Sequence, residues 1–294
     1  MAFDRWSSWF ERSRALTRFK AHHTEVNKLY WSLAPAAGYS KYIVRHAAAG
    51  ATPASVFHAT GDHTRRLPAT LDQWKAGFGE FENWSRLSML LSALSYLEAY
   101  ISAVVTLSLR SDPLLRYGQS HTIDGVTWIK REVHDDISDH VLSCVKGQWS
   151  KRLSGYGKLF RTVPATLRSC ESDLERMRVI RNGVAHSFGR DTRYFEDPLV
   201  DGATLAERLS EPSLLKWLGV IEQAAMAIDE HLFSQHLGEF ELLWHYHRWQ
   251  ALPAAQRALG SGEWRAFSRH INVKFGMTPG PDFCKELRNY YNQL

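Results

Sequence analysis

Cysteine is scarce in this 294-residue chain. Cys144, Cys170 and Cys284 are too few and too scattered for a disulfide framework or a cysteine zinc site, and they fit a reducing cytoplasm. No phosphate-cradling glycine loop, nucleophile elbow or HExxH pattern occurs, so those chemistries have no foothold. There is no internal repeat, and no alternating apolar pattern long enough to demand a sheet. The opening stretch, MAFDRWSSWFERSRALTRFK, has charges throughout and no apolar core, which argues against a secretory signal. Charge of one sign is also in short supply. Thirty-six Lys and Arg against 31 Asp and Glu leave +5, too small a balance to name a partner. The 44% hydrophobic and 23% charged content is ordinary for a globular chain and excludes global disorder.

Long apolar runs are nearly absent. The exception, residues 89–109, has the length of a membrane span, but it holds four serines, two tyrosines and Glu98. A central glutamate costs several kcal/mol in lipid, so the run is expected to be a buried helix of a protein without a membrane span.

What the chain does have is helical periodicity. Residues 3–33 read as an amphipathic helix, and Pro35, Gly38, Gly50, Pro53, Gly61, Pro68, Gly77 and Gly79 then mark a long connection. A connection of that length puts a boundary near residue 80. Residues 81–109 carry the strongest stripe, from Trp84 through Leu87, Leu91, Leu94 and Ile101 to Val105, and Asp112 and Pro113 end it. A polar helix is expected from about Lys130, followed by helices over 149–160, 170–188 and 211–237, the last capped by Ser210. The tail divides into three short helices at Pro253, Gly260–Gly262 and Pro279–Pro281. The expectation is an all-α protein: an N-terminal helical extension and connection (1–80), a central four-helix bundle (81–238) and a small C-terminal helical module (239–294).

The charge is concentrated. Residues 145–195 hold eleven Lys and Arg against four acids, +7, so the rest of the chain sums to −2. Phosphate contacts need clustered cations, so Lys158, Arg161, Arg176, Arg190 and Arg193 are candidates for binding a polyanion such as RNA.

Inside that segment runs Arg181-Asn182-Gly183-Val184-Ala185-His186. At 100° per residue, Glu175, Arg178, Asn182 and His186 share the face opposite the apolar stripe, with Arg181 on the seam. Histidine moves protons near neutrality, and arginine forks onto phosphate oxygens. Those are the two tools for cleaving RNA without a metal. The RNxxxH spacing at the end of a third bundle helix, flanked as VIRNGVAHSFG, resembles the HEPN superfamily over roughly residues 81–238. The resemblance implies catalysis by Arg181 and His186, oriented by Asn182 and supported by Arg178, with no cofactor. It further implies a metal-independent endoribonuclease that works as a homodimer with two motifs facing one cleft, in toxin–antitoxin or phage-defence settings with a partner protein. It equally covers members that only bind RNA or protein. Phe188 stands where one variant of the family carries a modifiable tyrosine, so control by that modification is not implied.

Glu98 falls in the centre of the apolar stripe of 81–109. A buried carboxylate needs a partner, and Arg181 is the expected one. His134, Asp135, Asp136, Asp139 and His140 form a weaker cluster, a minor candidate for a metal on a polar helix. His22-His23 and His245-Tyr246-His247 are weaker still. The tail interleaves aromatics such as Trp264 and Tyr290 with cations, and is read as a packed helical module.

Overall fold

The computed structural model describes residues 3–187, 207–257 and 262–294, and these are helical with no strand among them. The helices are α1 (Arg14–Arg45), α2 (Pro53–Val56), α3 (Leu71–Ser111), α4 (Gly125–Lys130), α5 (Ser138–Val145), α6 (Trp149–Phe160), α7 (Ala165–Ser169), α8 (Glu171–Ser187) and α9 (Glu211–Leu232). A π turn, Phe233–Leu237, extends α9. The tail holds α10 (Phe240–Gln250), α11 (Ala254–Arg257), α12 (Glu263–Phe275) and α13 (Pro281–Gln293).

Two helices run through expected breaks. α1 begins at Arg14 rather than near residue 3, and continues past Pro35 to Arg45. Proline forfeits one backbone hydrogen bond there, but Tyr30, Ala37 and Val44 are all buried, so packing on both sides of the proline overrides its propensity. α3 starts at Leu71, so the boundary expected near 80 lies within a continuous helix. Gly77 and Gly79 are bridged by an aromatic ladder. Trp74 stacks on Phe78 at 4.5 Å, Phe78 meets Phe81 at 6.2 Å and Phe81 meets Trp84 at 6.3 Å, all at helical three- and four-residue spacing. α3 is long and apolar enough to cross a membrane by length and composition. Leu87, Leu90, Leu97, Ile101, Val104 and Val105 are nonetheless buried within the protein, as in a core helix.

The chain divides into two compact units. One combines residues 1–18, 98–171 and 224–294, and the other combines 19–97 and 172–223. The second unit holds four long helical segments, from α1, α3, α8 and α9. It therefore takes in the N-terminal helix and leaves out 98–171, unlike the expected 81–238 grouping. Its buried residues include Phe19, Val26, Leu94, Leu174, Met177, Leu214 and Ile221. Asn83 and Arg86 of α3 fix the approach to α9 by bonding the backbone of Glu207 and Leu209.

The first unit is centred on the tail helices, where Phe240, Leu243, Tyr246, Trp249, Phe267, Ile271 and Leu287 form one cluster. Gly155 lets α5 approach α6, since a Cβ there would stand 2.6 Å from the Ser143 carbonyl. All three cysteines are buried in this unit, and burial pushes the Cys144 and Cys284 thiols up to about 11.

This unit also buries acids. Asp229 accepts bonds from the Ser13 amide (3.0 Å) and the Tyr100 hydroxyl (3.1 Å), and burial raises its pKa. Glu239 is fully buried, takes the Trp9 amide on one oxygen and leaves the other without a hydrogen bond. Burial pushes Glu239 up to about 7. A carboxyl raised in the folded state costs stability as pH climbs from the ordinary glutamate range to 7 and above. Glu239→Gln is therefore expected to gain stability relative to the parent between pH 4 and pH 8, by roughly 3 kcal/mol. Burial also holds His245 down at about 4, which changes stability in the opposite sense below neutrality, but equally in both proteins. Urea unfolding across pH checks the difference, and two parallel profiles would refute it.

Candidate functional site

α8 carries the Arg-Asn pair on a helix locked by its opposite face. Leu174 and Met177 are 0% exposed, Val184 3% and Ile180 7%, so the expected stripe is buried. Its first turn is tied to α9. Asp173 takes Lys216 at 2.9 Å and the Trp217 indole at 3.3 Å, which lowers its pKa, Lys216 contributing most. The Arg176 guanidinium lies 5.6 Å over the Trp217 ring. On the outer face, Arg178 grips Glu175 with two bonds, at 3.0 and 2.7 Å, which raises its pKa. One turn further, Arg181 Nη1 donates to Asn182 Oδ1 at 3.1 Å, and both residues are partly exposed. A permanent cation and a carboxamide thus sit together near the C-terminal end of α8. The His186 side chain, Phe188, Arg190 and Arg193 lie outside the described residues.

The basic segment belongs to two units rather than one. Arg176, Arg178 and Arg181 are in the second unit, whereas Lys158 and Arg161 are in the first. Lys158 is exposed on α6. Arg161 adopts a left-handed φ of 64° and, with Arg168 and Glu171, lines a shallow hollow of about 380 Å³.

Glu98 is half-buried and pairs with Arg152 at 3.0 Å. Arg152 also donates to the Gly147 carbonyl at 2.9 Å and lies 4.9 Å over Trp149. Arg152 was counted only as a surface cation in the sequence. The signal was its register, since Arg152 falls among Trp149, Leu153 and Tyr156, all buried.

The polar helix expected from Lys130 is mostly a loop. α4 ends at Lys130 and α5 begins at Ser138, so His134, Asp135 and Asp136 are in extended chain. Asp135 pairs with Arg116, and Asp136 is held low in pKa by the Ser138 hydroxyl and amide. Asp139 and His140 are on α5, and none of the five joins a convergent metal-ligand group. Among the described residues the side chains that do converge as metal ligands are Asp112, His121 and His236, none of them singled out as a ligand by sequence. The weaker histidines are structural: His23 bonds the Leu218 carbonyl at 3.1 Å, His22 stacks on Tyr96, and His247 meets the Tyr291 hydroxyl at 2.7 Å.

No family model, curated protein or solved structure matches this chain.

Proposed function

We propose that this protein is a HEPN-like endoribonuclease that cleaves RNA without a metal. The observation that carries the reading is the Arg181–Asn182 contact on the open face of α8, one helical turn before His186. The unit of four long helical segments to which α8 belongs supports a bundle setting for the motif. In the proposed reaction the 2′-hydroxyl of the substrate attacks its own phosphorus, and the bond to the 5′-oxygen breaks. His186 moves the proton, and the Arg181 guanidinium stabilises charge developing on the phosphate. Asn182 accepts one guanidinium N–H and so helps to orient the planar fork toward the phosphate. Arg176, on the same helix, contributes sequence-independent attraction for the backbone. By resemblance, two copies bring two motifs to one cleft, in a toxin–antitoxin or defence system with a partner protein.

The test is purified protein with single-stranded RNA in excess EDTA. Cleavage that persists and leaves 2′,3′-cyclic phosphate ends supports the proposal. Cleavage only on adding a metal overturns it. RNA binding with no cleavage under any condition moves the assignment to a non-catalytic HEPN-like binding module.

A further inference from the structure

Away from α8, in the first unit, Asp112 closes α3 with its side chain fully buried. Burial alone would lift its pKa, but hydrogen bonds from His236, the Ser120 hydroxyl and the His121 amide outweigh that and hold it below the usual carboxylate value. No lysine or arginine touches Asp112 among the described residues. Two imidazoles face it instead, His236 Nδ1 at 3.2 Å and His121 Nε2 at 3.8 Å from Oδ2. His121 Nε2 also lies 2.8 Å from the Gln235 carbonyl.

Local structure assembles these groups from two segments. After α3, the turn Leu115–Tyr117 and the left-handed Gly118 reverse the chain, and His121 is reached with φ at 61°. A non-glycine residue in that region costs on the order of 1–3 kcal/mol and is kept where its surroundings over-determine it. Here the Trp6 indole stacks on the His121 ring at 3.9 Å. From the other side, α9 widens into the π turn, closed by the Gly238 amide on the Phe233 carbonyl at 3.0 Å. Such turns recur at functional sites because they redirect side chains and free carbonyls. This one frees three carbonyls: Gln235 meets His121, His236 meets the Ser111 hydroxyl (2.5 Å), and Leu237 meets Arg5 (2.7 Å).

We propose that Asp112, His121 and His236, with the Gln235 carbonyl, bind one divalent transition-metal ion, zinc being the ion of first choice. One ligand atom from each of the three side chains already lies within 4.8 Å of the others. Tetrahedral zinc with ligand bonds of about 2.1 Å needs separations of about 3.4 Å, so the approach required is on the order of 1 Å. His121 supplies it, because its side chain is 42% exposed whereas those of Asp112 and His236 are packed. Two imidazoles and two oxygens suit zinc and its neighbours, whereas magnesium and calcium want all-oxygen shells of six or more. The carboxylate is pre-oriented by Ser120 and the His121 amide, as the outer ring of a metal site requires. On binding, the ion takes the lone pair of His121 Nε2, and the neutral ring keeps its proton on Nδ1. The ion then ties the end of α3 to the end of α9.

The experiment uses untagged full-length protein stripped with EDTA and desalted, titrated with zinc by calorimetry and with cobalt(II) by visible absorption. The expected result is one ion per chain, a tetrahedral cobalt spectrum and a raised Tm. His121→Ala and His121→Gln, at a half-exposed position, keep the helical circular dichroism and weaken zinc at least about tenfold. Less than one ion per chain, or unchanged affinity in both variants, overturns the site and leaves a hydrogen-bonded triad. The readout is ion binding, so neither result bears on EDTA-resistant RNA cleavage.

Discussion

If the protein is the ribonuclease proposed above, alanine at His186 is expected to lower the rate of RNA cleavage by about 10²–10⁴-fold, alanine at Arg181 to do the same, and the double variant to be little worse than either. The argument is one of shared function. Proton transfer by His186 is useful only while the phosphate charge is neutralised, and Arg181 neutralises it only as the 2′-oxygen attacks. Removing either disables the same transition state, so the losses do not add. Arg181→Lys is the sharper control. It keeps the charge but loses the planar fork that donates to Asn182 and to phosphate together, so it falls between the parent and alanine. Single-turnover cleavage of a defined RNA, with binding measured separately, checks all four proteins. A double variant whose loss is the product of the two single losses would show the residues acting independently and refute the shared step.

Arg5→Met is expected to destabilise the protein by about 3–5 kcal/mol. The residue lies in the irregular segment before α1, yet its side chain is 2% exposed. It donates to Asp124 at 2.7 and 3.3 Å, to the Leu237 carbonyl at 2.7 Å and to the Ser111 hydroxyl at 2.8 Å. Its guanidinium also lies 4.1 Å over the Trp6 ring. Methionine fills part of the volume but leaves the 7%-exposed Asp124 carboxylate without its countercharge and the end of the π turn uncapped. Asp124 still receives the Val126 amide and the Tyr290 hydroxyl, so adding Asp124→Asn removes the stranded charge and restores part of the loss. The exposed pair Lys75–Asp72 supplies the contrast, since Lys75→Ala is expected to cost under about 1 kcal/mol. Urea unfolding of the parent and the three variants measures this, and an Arg5→Met loss no larger than that of Lys75→Ala would refute it.

Much of the helix content was legible. The spacing from Trp149 to Phe160 and the Ser210 cap before α9 reappear as read, because both rest on local signals: an amphipathic period and a hydroxyl that bonds the Ser213 amide. The grouping of helices was not legible. Pro35, Gly77 and Gly79 look like breaks, but the burial of Tyr30, Ala37 and Val44 carries α1 through its proline, and the ladder from Trp74 to Trp84 carries α3 past its glycines. The candidate site divides the same way. The buried stripe of α8 follows from its sequence, and so does the proximity of Arg181 to Asn182. Arg152 lies 54 residues from Glu98 and His236 lies 124 residues from Asp112, separations which no spacing rule connects.

The three buried thiols have a consequence for watching the molecule open. Cys144, Cys170 and Cys284 all belong to the unit built from 1–18, 98–171 and 224–294, and the other unit has none. With burial holding the Cys144 and Cys284 thiols protonated, an alkylating reagent gains access to them only during excursions that expose that unit. The unmodified chain therefore carries its own clock: labelling rates count the openings of one unit while the helix bearing Arg181 stays silent.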